Sequence, residues 1–158
     1  MNTAYVALGA NLGDPAATVR AAFGALANLP ESRVSRSSSL YRTAPVGLTD
    51  QPDFINAVAE LQTTLAPEAL LNALFDIEQR FGRIRADKNG PRTLDLDLLL
   101  YDDQIIDLPH LTLPHPRLHL RAFVLQPLAE IAPQRVIPGR GAVTAWLPAV
   151  ANQGIVKL

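Results

Sequence analysis

Apolar and polar residues alternate along the chain in patterns that predict short strands and amphipathic helices. Residues 3–8 form an apolar run typical of a strand. Asp14 and Pro15 then fit the N-cap and the first position of a helix. Side chains at helical spacing give this helix one apolar stripe: Val19, Ala22, Phe23 and Leu26. A strand followed by a capped helix is therefore expected at the start.

The middle of the chain repeats this order with two strands and a second helix. Residues 33–42 fit a polar, partly exposed strand, and residues 54–63 alternate so that one face is apolar. Pro67 opens a helix, and Gly82 suits its C-terminal end. The apolar stripe of this helix comprises Leu70, Leu71, Leu74, Ile77 and Phe81. Residues 94–100 then read as another strand.

The last third of the chain is less regular. A turn at Asp102–Asp103 and a short strand at residues 104–106 predict a hairpin with the preceding strand. A loop and a short helix, limited by Pro127 and Pro133, are expected next.

The order β-α-β-β-α-β is the split pattern of ferredoxin-like sandwiches. We therefore expect an α/β (α+β) fold, with a mainly antiparallel sheet and helices on both of its faces. No repeat, low-complexity tract or long linker interrupts the sequence, so residues 1–158 are expected to form a single domain.

Composition narrows the class of protein. The chain has no cysteine, which excludes disulfides and thiolate metal sites. The net charge of −1 argues against broad binding to nucleic acid or to a membrane surface. No run approaches the roughly 20 apolar residues of a membrane span, and the first residues do not resemble a signal peptide. A cytoplasmic location and a monomer are the default expectations.

Two carboxylates interrupt the leucine-rich strand in GPRTLDLDLLLY, residues 90–101. Residues two apart on a strand point to one face, about 6.5–7 Å apart, so Asp95 and Asp97 project together. Mg²⁺ prefers such oxygen ligands, usually with substrate phosphates. An acidic outer face without a metal is the alternative, although like charges on one face repel. The pair favours a magnesium site for phosphate chemistry.

A block of basic residues lies directly before this pair and suggests a compact anionic ligand. It contains Arg80, Arg83, Arg85, Lys88 and Arg92. A solvated basic loop is the simpler alternative. His115, near Arg117 and Arg121 in sequence, is a candidate phosphate contact, whereas His119 is interpreted as inert. GANLGD, residues 9–14, lacks the Lys-Ser/Thr ending of a P-loop and reads as a turn before a helix.

At residues 88–99 the sequence KNGPRTLDLDLL resembles the signature of the 6-hydroxymethyl-7,8-dihydropterin pyrophosphokinase family, which acts in folate biosynthesis. The resemblance covers nearly the whole chain, through YVALGANLGD, SSLYRTAPVG, QPDFINAVAEL, IEQRFGRIR, LTLPH and RAFVLQPLAEIAP in order. It implies transfer of pyrophosphate from ATP to the hydroxymethyl group of the pterin, with release of AMP. It also implies a ferredoxin-like fold and two Mg²⁺ ions.

The resemblance further implies a role for each matching residue. Asp95 and Asp97 would bind the Mg²⁺ ions, and Arg83 and Arg92 would be the catalytic cations. The residues matching family contacts to ATP are Glu78, Leu98, His115 and Arg121. Those matching contacts to the pterin are Thr43, Ala44, Val46, Phe54, Asn56 and Phe123.

Some positions depart from the family pattern. The loop at residues 85–91 lacks the family's tryptophan, since the chain's single tryptophan is Trp146. Phe54 replaces a tyrosine, His110 an arginine, and Pro116 an aromatic residue. Two alternatives therefore stay open: a Mg²⁺-dependent nucleotide phosphohydrolase, and a non-catalytic module that binds nucleotide or pterin.

Overall fold

The computed structural model describes residues 1–45, 50–82 and 93–158. The first two thirds of the chain form five strands and two helices: β1 (Asn2–Ala10), α1 (Pro15–Ala27), β2 (Ser32–Ser37), β3 (Tyr41–Thr43), β4 (Phe54–Thr63), α2 (Pro67–Arg80) and β5 (Asp95–Tyr101). Shorter elements follow: β6 (Ile106–Leu108), β7 (Leu111–Leu113), α3 (Ala122–Ile131), β8 (Val136–Ile137), β9 (Gly141–Ala142) and β10 (Ile155–Lys157). Two 3₁₀ segments, Leu118–Leu120 and Val143–Val150, flank α3 and β9.

The main sheet is antiparallel, with the order β10-β3-β4-β1-β5 and with β2 also paired to β4. Strand β1 therefore lies between β4 and β5, and β5 ends this path. The arrangement confirms the predicted mixed α/β class and its mainly antiparallel sheet. Both predicted helix starts fit: the Asp14 side chain accepts a hydrogen bond from the Ala17 N–H, and Pro67 opens α2.

Helices α1 and α2 pack on one face of the sheet through the stripes predicted from sequence. This core contains Val19, Ala22, Leu26, Leu70, Leu74 and Ile77 from the helices, and Val6, Leu8, Ile55, Ala57, Leu61, Leu94, Leu96 and Leu98 from the sheet side. Nearly all of these residues have only a few per cent of their surface exposed, or less. Gly82, with a φ of 79°, follows α2 in the left-handed region that glycine adopts without strain.

Helix α3 and the segment Val143–Val150 pack on the other face. Their core joins Leu125, Leu128, Val143 and Val150 to Tyr5, Val58, Leu99 and Leu100 of the sheet. The helix continues through Pro127 although a proline removes one main-chain donor, because its buried face holds it in place. The predicted limit at Pro127 is therefore wrong.

Two strand predictions also need correction. Residues 33–42 form two strands rather than one. The Ser38 N–H donates to the Val58 carbonyl, and the Ser38 Oγ accepts from the Val58 N–H, each at 2.9 Å. The Ser38 hydroxyl thus takes the place of a main-chain acceptor. The segment between β2 and β3 is one residue longer than the part of β4 that it faces.

The predicted hairpin at residues 95–106 does not form, since β6 pairs with β7 instead of β5. The Asp102 N–H donates to the Thr3 carbonyl, and the Thr3 N–H donates to Asp102 Oδ1, each at 2.8 Å. This turn fastens the end of β5 to β1, and the chain then leaves the sheet. Residues 111–113, expected in a loop, form β7. Within the described ranges, no helix is both long and apolar enough for a membrane span.

Candidate active site

The predicted strand faces of β5 are confirmed. Leu94, Leu96 and Leu98 belong to the core beneath α1 and α2, and Asp95 and Asp97 alternate with them. Both aspartates are partly exposed, whereas the leucines beside them are buried. A strand with one apolar side and one acidic side presents its two carboxylates together.

One row of residues runs across three strands on the acidic face. Asp95 of β5 is opposite Gly9 of β1, and Gly9 is opposite Asn56 of β4. Residues directly opposite each other share a sheet face, so Gly9 lies between a carboxylate and an amide. A Cβ atom at Gly9 would lie 3.0 Å from Asn56 Oδ1. The absence of a side chain at Gly9 therefore lets the Asn56 amide oxygen lie close over the main chain of β1.

Asn56 is fixed by its neighbour. It is buried, at 5% exposure, and its Nδ2 donates to Thr43 Oγ1 at 2.7 Å. Since the amide nitrogen is engaged there, the amide oxygen is presented above Gly9. Thr43 itself is buried and opposes Phe54 in the pairing of β3 with β4. Three of the residues predicted to contact the pterin are thus neighbours on β3 and β4, and Asn56 among them lies in the row with Gly9 and Asp95.

A cavity of about 370 Å³ lies along β5. Four predicted residues line it: Asp95, Asp97, Leu98 and His115. Its other walls come from α2 and the β6–β7 region, including Leu71, Phe75, Pro109, His110, Leu111, Thr112 and Pro116. The cavity combines an apolar wall with carboxylates and an imidazole. Sites for small molecules commonly have this mixture of an apolar lining and a few polar groups.

Several contacts position His115 at this cavity. Its N–H donates to the Leu99 carbonyl at 2.9 Å, and its ring Nδ1 accepts from the Arg117 N–H at 3.2 Å. Leu99 is the extra residue where the pairing of β1 with β5 shifts by one. Burial lowers the pKa of His115 to about 4, and Arg121, Arg117 and Arg140 add to this against the attraction of Asp95. The imidazole is therefore neutral near pH 7, and because Nδ1 accepts a bond, Nε2 carries the proton.

Arg121 and Phe123 lie at the start of α3. The Arg121 guanidinium is 5.3 Å from the Phe123 ring centroid. Burial and the nearby Arg117 lower the pKa of Arg121, while Asp97 and Asp95 oppose this shift. Arg121 is therefore within electrostatic range of the aspartate pair. Phe123 is partly buried against the core under α3.

Glu78 lies behind the site rather than in the cavity lining. It is 2% exposed, and its Oε2 accepts from the Leu96 N–H at 2.8 Å. A carboxylate in this position fixes the main chain between Asp95 and Asp97. Glu78 therefore has a structural role at the site. Its contact with the nucleotide stays a prediction.

The remaining predicted residues lie near the edges of the described ranges of the chain or outside them. Ala44 is exposed just after β3. Val46 lies outside the described residues, as do Arg83, Arg85, Lys88 and Arg92 of the basic block. Arg80, the first residue of that block, is exposed at the end of α2.

The donor set at Asp95 and Asp97 fits Mg²⁺. Among the described residues, no three His, Cys, Asp or Glu side chains are grouped so that they could hold a metal ion. One or two carboxylates, with phosphate oxygens and water completing the shell, is the usual protein contribution for Mg²⁺.

Carboxylates at a nucleotide-sized cavity on a split βαβ sandwich are typical of enzymes that transfer phosphoryl groups. The sequence model of the 7,8-dihydro-6-hydroxymethylpterin-pyrophosphokinase family matches residues 5–133. Two relatives are named 2-amino-4-hydroxy-6-hydroxymethyldihydropteridine pyrophosphokinase. The Pseudomonas aeruginosa protein is 48% identical over 98% of this chain and 95% of its own length. The Haemophilus influenzae protein is 44% identical over 100% and 99%. The chain belongs to this family, and the prediction of a pyrophosphokinase is confirmed.

Solved structures agree on the fold. The crystal structure of wild-type Plasmodium falciparum HPPK-DHPS with pteroate superposes with a TM-score of 0.75 at 14% identity. The alignment covers 94% of this chain and 42% of the other, so this chain spans less than half of that longer protein. At this identity the likeness is one of fold.

Proposed function

We propose that the chain transfers pyrophosphate from ATP to the hydroxymethyl oxygen of 6-hydroxymethyl-7,8-dihydropterin and releases AMP, as a step of folate biosynthesis. The row of Asp95, Gly9 and Asn56 is the observation that carries this proposal. It joins a site for a metal-bound phosphate chain to a polar group for a heterocycle, with only a glycine between them in the sheet. A transfer reaction needs both substrates at one junction.

The nucleotide is assigned to the cavity along β5. Its apolar wall, formed by Leu71 and Phe75, suits a base, and Asp95 and Asp97 lie at its polar side. Neutral His115 offers its Nε2–H as a donor to a phosphate oxygen. Arg121, with its charge near both aspartates, adds a cation for the phosphates.

The pterin is assigned to the sheet face above Gly9, beside Asn56. Asn56 Oδ1, fixed through Thr43, would accept a hydrogen bond from the heterocycle's edge. Phe54 and Phe123 are the aromatic candidates for stacking on it. The predicted pterin contacts of Ala44 and Val46 remain part of this proposal, as does the predicted ATP contact of Glu78.

Mg²⁺ would be held by Asp95 and Asp97, two ions being the number implied by the family. Bound there, it would neutralise charge on the phosphate chain. The chain's own residues would fix the two substrates in line and meet the developing charge with preorganised donors. Arg83 and Arg92 are proposed as further cations. Residues 1–158 are proposed to act as one monomeric domain in the cytoplasm, with small-molecule substrates.

Incubation of the protein with ATP, Mg²⁺ and 6-hydroxymethyl-7,8-dihydropterin tests the proposal, with AMP and pterin product as the readout. We expect AMP only when pterin and Mg²⁺ are both present. Formation of ADP or phosphate without pterin would favour a phosphohydrolase. ATP binding without turnover would favour the non-catalytic module.

A further inference from the structure

The hairpin of β8 and β9 reaches the candidate site from a distant part of the chain. Its turn is built around Arg140, whose N–H donates to the Ile137 carbonyl at 2.9 Å. Gly139 and Gly141 flank Arg140 with φ values of 76° and 87°, which glycine adopts without strain. The Trp146 Nε1–H donates to the Arg140 carbonyl at 2.9 Å. Arg140 is therefore held by its own main chain.

The side chain of Arg140 points to His115. Its Nη1 donates to the His115 carbonyl oxygen at 3.0 Å. The His115 peptide is thus fixed on both sides, since its N–H is bound by the Leu99 carbonyl of β5. The Arg117 N–H fixes the ring on its Nδ1 side. Only the Nε2 side of the imidazole then remains for a ligand in the cavity.

We propose that Arg140 is a positioning residue for nucleotide binding, acting through His115 and not by contact with the nucleotide. Arg140 is absent from the cavity lining, whereas His115 lines it. The inference rests on the proposed function for one point, the placement of the nucleotide in that cavity.

A hydrogen bond from a charged donor is stronger than one between neutral groups. Without the guanidinium, the His115 carbonyl would exchange a fixed partner for water, and the ring would sample more orientations. Burial is the main cause of the low pKa of His115, and the charge of Arg140 adds a smaller contribution that also favours the neutral ring. Both effects favour a single donor geometry.

A double-mutant cycle in the full chain tests this inference. Dissociation constants for Mg²⁺ and a non-hydrolysable ATP analogue would be measured by calorimetry for the wild type, Arg140→Ala, His115→Ala and the double variant. We expect Arg140→Ala to weaken binding about tenfold, the equivalent of one charge-assisted hydrogen bond. In the His115→Ala background the same change should alter binding less than twofold. An equal loss in both backgrounds would overturn the proposal.

Three controls separate positioning from folding. Arg20→Ala removes an exposed charge on α1 and should leave binding unchanged. Arg140→Lys should restore part of the affinity, because an ammonium can also donate to a carbonyl; no rescue would contradict the proposal. The ¹⁵N shifts of the His115 ring should report mixed tautomers in Arg140→Ala and mainly the Nε2–H form in Arg140→Lys; an unchanged Nε2–H pattern in Arg140→Ala would also contradict the proposal. Since no pterin is used, the result does not depend on whether AMP is formed.

Discussion

The two faces of the main sheet are packed very differently. Beneath α1 and α2, apolar side chains fill the face along its length, and residues such as Leu8, Leu61 and Leu74 have 1% exposure or less. On the other face, α3 covers Tyr5, Val58 and Leu100, while Gly9, Asn56 and the aspartates lie beyond that core. The face under α1 and α2 contributes to stability alone. The face under α3 carries a hydrophobic core along one part and the candidate site along the other. Variants of the two faces should therefore fail in different ways.

The largest loss of turnover is expected for Asp97→Asn, which keeps the shape of the side chain and removes the charge. Loss of preorganised electrostatic stabilisation costs on the order of 1000-fold in rate, or about 4 kcal/mol. Steady-state AMP formation and thermal unfolding would be measured together. Asp107→Asn, on exposed β6, is the matched control and should keep full activity. Full activity in Asp97→Asn would remove the metal assignment.

Leu74→Ala should have the opposite profile. Leu74 is fully buried in the core under α1 and α2, so truncation should lower the free energy of unfolding by about 2–5 kcal/mol. Turnover per folded molecule should be unchanged. Urea unfolding and active-site titration would check both quantities, with exposed Ile105→Ala as the control. A loss of turnover per folded molecule in Leu74→Ala would contradict the assignment of this face to stability alone.

Gly9→Ala should act on the pterin side of the site. The added methyl would lie 3.0 Å from Asn56 Oδ1, and displacement of this amide by overpacking of about 1–3 kcal/mol would weaken pterin binding about 5- to 140-fold. KM for the pterin should rise while the affinity for ATP changes little. Gly24→Ala is the matched control, because nothing lies within 4 Å of its added carbon. Equal behaviour of the two variants would contradict the assignment of the pterin to the sheet face above Gly9.

A further effect is expected in the pH dependence of stability. The pKa of His115 is lowered to about 4 in the folded protein, from an ordinary value of 6.5. As the pH falls through 6.5 toward 4, the unfolded chain takes up a proton that the folded chain refuses, so stability is lost in that window. The facing charges are Arg117, Arg121, Arg140 and Asp95.

Urea unfolding of the wild type and of His115→Gln at pH 7, 5.5 and 4.5 would isolate this effect, since other titrating groups are common to both proteins. The wild type should lose more stability on acidification than the variant. Identical losses would show that His115 titrates normally.

The sequence predicted most of the packed face, because helical and strand periodicity records burial directly. It also predicted the aspartate pair, since spacing of two places carboxylates on one face. The split between β2 and β3 was missed because it depends on the Ser38 side chain bonding to Val58. The β6–β7 pairing was missed because Asp102 fastens the end of β5 to β1.

Other features of the site depend on contacts between residues far apart in sequence. Gly9 was read only as part of a turn, because its place between Asp95 and Asn56 follows from strand register. Arg140 and His115 are 25 residues apart, and their hydrogen bond arises from the packing of a late hairpin. Glu78 came from the family resemblance, while its bond to the Leu96 N–H required the fold.

Amide chemical shifts offer the most direct test of the difference between the two faces. The ¹⁵N-labelled protein would be titrated with Mg²⁺ and a non-hydrolysable ATP analogue, and then with 6-hydroxymethyl-7,8-dihydropterin. We expect the first addition to shift Asp97 and His115 most, and the second to shift Gly9 and Asn56, with Ala22 and Leu74 on the packed side nearly unchanged. Dominant shifts in α1 or α2, with Gly9 and Asn56 unmoved by the pterin, would contradict this account of the site.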